Sequence, residues 1–92
     1  MPRAARQLLI GGRVQAVGFR LFTAEVARRE GVVGYVRNLP DGRVEAMVEG
    51  TPGAVERFER AVRQGPPGAR VASIEAESPS PSGEFTEFRV RS

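Results

Sequence analysis

The stretch VGYVRNLPDGRVEAMVE, residues 33–49, divides into two strand-forming arms around Pro40-Asp41-Gly42. Pro presets the backbone angle of a turn and Gly tolerates positive φ, so these three residues predict a tight reversal. Val33 to Leu39 and Arg43 to Glu49 are then the arms of a hairpin. In the second arm Val44, Ala46 and Val48 share one parity, and Arg43, Glu45, Met47 and Glu49 share the other. That alternation predicts a sheet covered on one face, with Glu45 and Glu49 on its solvated side.

On both sides of the hairpin the apolar period changes. Phe19, Phe22, Thr23, Val26 and Ala27 follow three-and-four spacing, which predicts a helix over residues 19–30 with Gly31 as its left-handed stop. After the hairpin, Thr51 can cap a second helix with Pro52 in its first position. Val55, Phe58, Ala61 and Val62 form the buried stripe of that helix, and Gly65 ends it. Leu8, Ile10 and Val14 mark a strand over residues 7–14, weakened at Gly11-Gly12. Arg70 to Glu77 is a fourth strand in which Val71 and Ile74 differ in parity, the mark of a bulge or a change of exposed face. Ser78-Pro79-Ser80-Pro81-Ser82-Gly83 predicts an exposed loop, and Phe88 and Val90 alternate with polar residues in a final strand. Phe19, Phe22, Phe58 and Phe88 are expected in the core. Glu25 with Arg29, Glu56 with Arg60 and Glu59 with Arg63 are expected as solvated pairs one helical turn apart.

The order is β-α-β-β-α-β with a terminal strand: two βαβ halves joined by the hairpin. Right-handed crossovers place both helices on one face of an antiparallel sheet, which is the ferredoxin-like α+β sandwich with an added C-terminal strand. A chain of 92 residues suffices for one core, and residues 1–92 are expected to form a single domain. Many unrelated functions use this fold, so function has to come from a site.

Composition excludes much chemistry. All 14 basic residues are Arg, and the chain has no Lys, His, Cys or Trp. There is therefore no imidazole base, thiolate nucleophile, Schiff-base lysine, disulfide, or ordinary His or Cys metal site, and no cofactor or metal is expected. The formal charge of +3 is modest, and it does not by itself indicate nucleic acid. A basic start is followed only by Leu8-Leu9-Ile10, too short for a signal-peptide core or a membrane span. A soluble cytoplasmic protein with no membrane partner is expected.

The most informative polar stretch is Gly12-Arg13-Val14-Gln15-Ala16-Val17-Gly18-Phe19-Arg20, which leaves the first strand and opens the first helix. Backbone amides at such a turn converge where the helix N-terminus favours an anion, and the guanidinium of Arg20 could grip a phosphate held there. An ordinary strand-to-helix turn with a solvated Arg is the plainer reading. Asn38 ends the second strand with the inward parity of Val36. Its amide either caps the Leu39-Pro40-Asp41-Gly42 turn or holds a water near the anion loop, and spacing alone leaves both open.

Gly12 to Arg20 resembles the acylphosphatase signature G-x-V-Q-G-V-x-F-R. Gly34-Tyr35-Val36-Arg37-Asn38, followed by Asp41-Gly42-x-Val44-Glu45, resembles that family's second signature at the family's separation. The similarity covers nearly the whole chain. It implies metal-independent hydrolysis of a small-molecule acyl phosphate to a carboxylate and inorganic phosphate. By position it implies Arg20 as the phosphate-binding arginine, the amides of Gln15, Ala16, Val17, Gly18 and Phe19 as its cradle, and Asn38 as the residue orienting the attacking water. Ala16 departs from the family's usual Gly, and if the position needs positive φ, Ala costs about 1–2 kcal/mol. Weakened rather than abolished activity is expected. The ending Arg91-Ser92 lacks the aromatic terminus common in the family and reads as a packing difference. A monomer that does not bind nucleic acid is expected. Two alternatives stand beside this reading: a phosphate-sensing domain without activity, and an RNA-binding module, for which one Tyr and no Trp supply a poor stacking platform.

Overall fold

The computed structural model describes residues 2–92. Its elements are β1 (Ala4–Arg13), α1 (Phe19–Glu30), β2 (Val33–Asn38), β3 (Val44–Gly50), α2 (Pro52–Gln64), β4 (Arg70–Glu77) and β5 (Phe88–Val90). The five strands form one sheet in the order β4-β1-β3-β2-β5. Every pairing among β1–β4 is antiparallel, as the double βαβ reading requires. The fifth, the added C-terminal strand whose direction the sequence left open, runs parallel to β2, so the five-stranded sheet is mixed. The reason is topological. β4 lies at one edge and β5 at the other, so the chain crosses the sheet between them and enters β5 in the direction of β2.

Local sequence accounts for the ends of both helices. Gly31 takes φ 74°, and the amides of Gly31 and Val32 close the last turn of α1 on the carbonyls of Arg28 and Ala27. Thr51 Oγ1 accepts from the Ala54 amide while Pro52 occupies the first turn of α2, where a missing N–H is no loss. The two helices pack on the sheet face that carries Leu8, Ile10, Val36, Val44, Ala46 and Val48, all with no exposure. Phe19 and Phe58 fill the layer between, Phe58 lies 6.0 Å from Phe88 between ring centroids, and Phe22 packs half-buried against the edge of the core. The parity change in β4 is a bulge. Gly11 pairs with Ser73 and Gly12 with Val71, leaving Ala72 as the extra residue. Gly12 has φ 126°, and a Cβ there would stand 2.2 Å from the Arg70 carbonyl oxygen, so only glycine fits the bulge.

The expected solvated face of β3 is not solvated at its two carboxylates. Glu49 is fully buried and accepts from the Ser82 amide (2.8 Å), the Ser82 hydroxyl (2.7 Å) and the Gly83 amide (3.0 Å). Glu45 is also buried, between Arg37 Nε at 2.6 Å and Gln7 Nε2 at 2.8 Å. The loop between β4 and β5 is exposed at residues 78–83, as expected, yet it crosses this second sheet face and uses Glu49 as its anchor. The pairs Glu56–Arg60 (2.9 Å) and Glu59–Arg63 (2.8 Å) form as expected. Arg29 instead lies 3.5 Å from Glu30, which also takes Arg57 at 2.7 Å, and does not pair with Glu25.

Burial pushes the Glu49 carboxyl up, but donors from Ser82 and Gly83 outweigh it and hold the group below its ordinary value. A carboxylate whose folded pKa is depressed stabilises the protein above its unfolded pKa, and that contribution is lost as pH falls through the folded value. Glu49→Gln is therefore expected to destabilise the fold by about 1–3 kcal/mol at neutral pH, the scale of a lost charged acceptor facing three donors. Urea unfolding should show the gap to wild type narrowing below the ordinary glutamate range. A constant gap down to pH 2 would mean that the ionised carboxylate is not what anchors the loop.

Candidate active site

β1 ends at Arg13, the chain turns through residues 14–18, and α1 begins at Phe19. Two residues of this turn are left-handed: Ala16 at φ 59° and Gly18 at φ 73°. Ala16 is the one non-glycine residue with positive φ among the described residues. Left-handed positions alternating with ordinary ones fold a turn into a concave nest of N–H groups, and the first turn of a helix adds its own unpaired donors. Among the described residues no protein acceptor takes the amides of Gln15, Ala16, Val17 or Gly18. The Gly18 cap places no side-chain acceptor over the helix start, and the first turn of α1 carries no acidic residue. The end of the helix is thus left open to an external anion.

The turn is fixed by a side chain. Gln15 Nε2 donates to the carbonyls of Leu39 (2.9 Å) and Arg43 (3.0 Å), one on each arm of the hairpin. Sequence reading placed Gln15 in the cradle through its backbone amide and missed this bridge, which spans 24 and 28 residues. Val17 packs against the core. The bridge sets the turn beside Asn38, which closes β2 opposite Val44. Asn38 Oδ1 is buried and, among the described residues, meets no hydrogen-bond donor. Native structures rarely leave a buried acceptor in that state, and such an atom is a reason to look for a ligand or a held water. Capping of the hairpin turn, the plainer reading of Asn38, does not occupy that oxygen. The Leu39 amide instead bonds the Arg43 carbonyl at 2.8 Å.

Arg20 sits in the first turn of α1, and its Nη1 donates to the Arg91 carbonyl at 2.8 Å. One of five guanidinium N–H donors is thereby used, and the others remain for a ligand. Arg91, one residue past β5, is itself positioned by β2: its amide bonds the Val36 carbonyl at 2.8 Å. The chain end, read from sequence as a packing difference, thus supplies the partner of Arg20. No local pattern reports a contact between residues 71 positions apart. Arg20 and Asn38 line one cleft of about 120 Å³ together with Ala16, Gly18 and Leu21, over the buried Val14 and Phe19. A larger open groove of about 450 Å³ lies between β1 and α2, but there Arg6, Arg60 and Arg63 are each paired with Glu59 or Glu56. Its charges are mutually satisfied, whereas the smaller cleft holds unpaired donors and an unpaired acceptor. Among the described residues no group of three or more carboxylates is gathered to hold a metal ion.

Residues 6–90 match the family model described as acylphosphatase. The acylphosphatase of Anaeromyxobacter dehalogenans is 48% identical over 89 residues, covering 97% of this chain and 96% of that protein. That of Gloeobacter violaceus is 53% identical over 81 residues, covering 88% and 86%. The crystal structure of the acylphosphatase from Bacillus subtilis superimposes with a TM-score of 0.93 at 32% identity, over 97% of this chain and 99% of that one.

The φ of Ala16 meets the condition under which the missing glycine matters. Restoring it relieves about 1–2 kcal/mol of left-handed strain, against about 0.4–1 kcal/mol of added freedom in the unfolded chain. Ala16→Gly is expected to raise the melting temperature by roughly 2–6 °C for a domain of this size. A lowered melting temperature would show that the turn accommodates Ala16 without strain.

Proposed function

This chain belongs to the acylphosphatase family, and we propose that it hydrolyses acyl phosphates without a metal or cofactor, with Arg20 binding the phosphate and Asn38 orienting the attacking water. The observation that carries the reading is the meeting, in one cleft, of the Arg20 guanidinium and the buried, unpartnered Oδ1 of Asn38. One is a cation suited to phosphate oxygens, and the other is an acceptor suited to a water proton.

The chemistry suits a chain without His, Lys or Cys. The leaving group is a carboxylate whose conjugate acid has a pKa of about 4, so no general acid is needed to expel it. Water oxygen forms a bond to phosphorus as the bond from phosphorus to the acyl oxygen breaks, and the electron pair of that bond leaves with the carboxylate. In a loose transition state the nucleophile contributes little bonding, so its proton can pass to a phosphate oxygen or to solvent rather than to a strong base. What remains is placement and charge. The amides of Gln15, Ala16, Val17, Gly18 and Phe19 and the free donors of Arg20 face the equatorial oxygens, and Asn38 Oδ1 accepts one water O–H so that the oxygen lone pair points at phosphorus.

The reading takes the substrate as a small-molecule acyl phosphate, the product as inorganic phosphate, and the enzyme as a cytoplasmic monomer that binds neither nucleic acid nor membrane. In support, no helix among the described residues is long and apolar enough to cross a membrane. The Tyr35 ring, which an RNA-binding sheet would use for stacking, lies under the Arg91 guanidinium at 4.0 Å and against Phe85 at 6.0 Å between ring centroids.

Arg20→Ala is expected to lower turnover of benzoyl phosphate at least about 100-fold, the scale of losing a main charge-stabilising donor. Near-normal turnover by that variant would sink the assignment. Asn38→Ala should lower kcat with a smaller change in inhibition by inorganic phosphate. Equal loss of both would make Asn38 a phosphate ligand rather than a water ligand. Wild-type activity should survive excess EDTA; loss of activity there would overturn the metal-free reading.

A further inference from the structure

We infer that Tyr35 is a positioning residue for Arg20, acting through the end of β5; this rests on the reading of Arg20 as the phosphate ligand. Three contacts join them. The Arg91 guanidinium stacks over the Tyr35 ring at 4.0 Å, the Arg91 amide bonds the Val36 carbonyl at 2.8 Å, and the Arg91 carbonyl accepts from Arg20 Nη1 at 2.8 Å. Arg91 lies one residue beyond the last residue of β5, and β5 is an edge strand of only three residues. Short edge strands fray, because few ladder bonds hold them. If Arg91 frays, its carbonyl leaves Arg20, whose side chain then has several more rotamers to lose on binding phosphate. Stacking on Tyr35 clamps the residue from its side-chain end while the Val36 bond clamps it from its main-chain end.

Tyr35 is well placed to serve as a fixed platform. It projects from β2 on the sheet face opposite the helices, between Phe85 of the crossing loop and the buried Glu45, and that loop is itself tied down at Glu49. The Arg20 partner is a carbonyl whatever side chain residue 91 carries. An effect of changing the Arg91 side chain on phosphate binding therefore does not come from a lost donor or acceptor at Arg20, and Tyr35→Leu, which keeps the Arg91 charge, separates the clamp from the loss of a cation.

The experiment uses the full chain, with inorganic phosphate as competitive inhibitor of benzoyl phosphate hydrolysis and thermal melting measured alongside. Tyr35→Leu and Arg91→Gln are each expected to raise the phosphate inhibition constant about two- to fivefold, the fold-change equivalent of an exposed cation–π contact. Tyr35→Phe keeps the ring and Arg91→Lys keeps the cation, so both should stay close to wild type. The double variant Tyr35→Leu/Arg91→Gln should be no worse than the more impaired single variant, since both remove one contact. Arg91→Gln should leave the melting temperature near that of wild type, which separates positioning from general destabilisation; it also carries the test if Tyr35→Leu fails to fold. Phosphate inhibition unchanged in Arg91→Gln, or lost equally in Arg91→Lys, would overturn the clamp while leaving the Arg20 reading intact. Phosphate inhibition unchanged in Arg20→Ala would overturn both.

Discussion

The site depends on one two-pronged contact, the Gln15 side-chain amide bonding the carbonyls of Leu39 and Arg43. Without it the turn before α1 and the hairpin after β2 are separate loops at the same end of the sheet. With it, a residue that opens a helix and a residue that closes a strand face a common cleft. The contact uses both donors of one amide on two carbonyls, so it fixes an orientation as well as a distance. It also lies at a position where the backbone adopts a left-handed residue next in sequence, and a strained turn persists only where its surroundings over-determine it.

The frame around this contact was largely legible in the sequence because it rests on short-range patterns. The helix over residues 19–30 follows from the spacing of Phe19, Thr23, Val26 and Ala27 and the stop at Gly31, and the observed α1 has the same bounds. The hairpin follows from Pro40-Asp41-Gly42, and the bulge in β4 from the parity of Val71 and Ile74. What escaped the sequence has a common cause. Alternation in β3 reveals that one face is apolar, but not that a Ser-Pro loop folds over the other and leaves Glu49 without exposure. A loop with no apolar period carries no record of the surface it crosses, and the direction in which it delivers β5 is equally unrecorded. Arg20 and Asn38 stood out as candidates from their placement beside a turn and a strand end, and the roles proposed for them came from resemblance. The partners that hold the turn and Arg20, namely Leu39, Arg43 and Arg91, are backbone atoms that any side chain could bring.

A chain whose basic residues are all arginine raises the question of what distinguishes Arg20 from the cations that are paired. Arg6, Arg37, Arg43, Arg57, Arg60, Arg63 and Arg89 all contact carboxylates at 3.0 Å or less. Pairs of that kind on the surface contribute little stability, but they neutralise the guanidinium they engage. Arg20 is held by a carbonyl instead. A neutral acceptor restrains the side chain while leaving its full charge for a ligand, whereas a carboxylate would have to be displaced or repelled by an incoming phosphate. A fork-shaped cation can be held at one nitrogen and still present others, which the single ammonium of a lysine does less well.

The same economy explains how a strained residue, an unsatisfied buried acceptor and unpaired amides can coexist in so small a domain. Each is unfavourable for folding alone, at about 1–3 kcal/mol for the strain and for the acceptor. All are concentrated at one end of a sheet whose central strands have no exposed apolar side chain on the helix face, so the frame can carry them. In the proposed mechanism each of these costs is reversed by substrate: phosphate oxygens take the amides, and a water donates to Asn38. Binding then draws on groups that are already fixed and already unpaired, so little reorganisation is left for the chemical step. A substrate that expels its own leaving group asks nothing further of the protein, and the absent histidines, lysines and cysteines are residues this reaction has no position for.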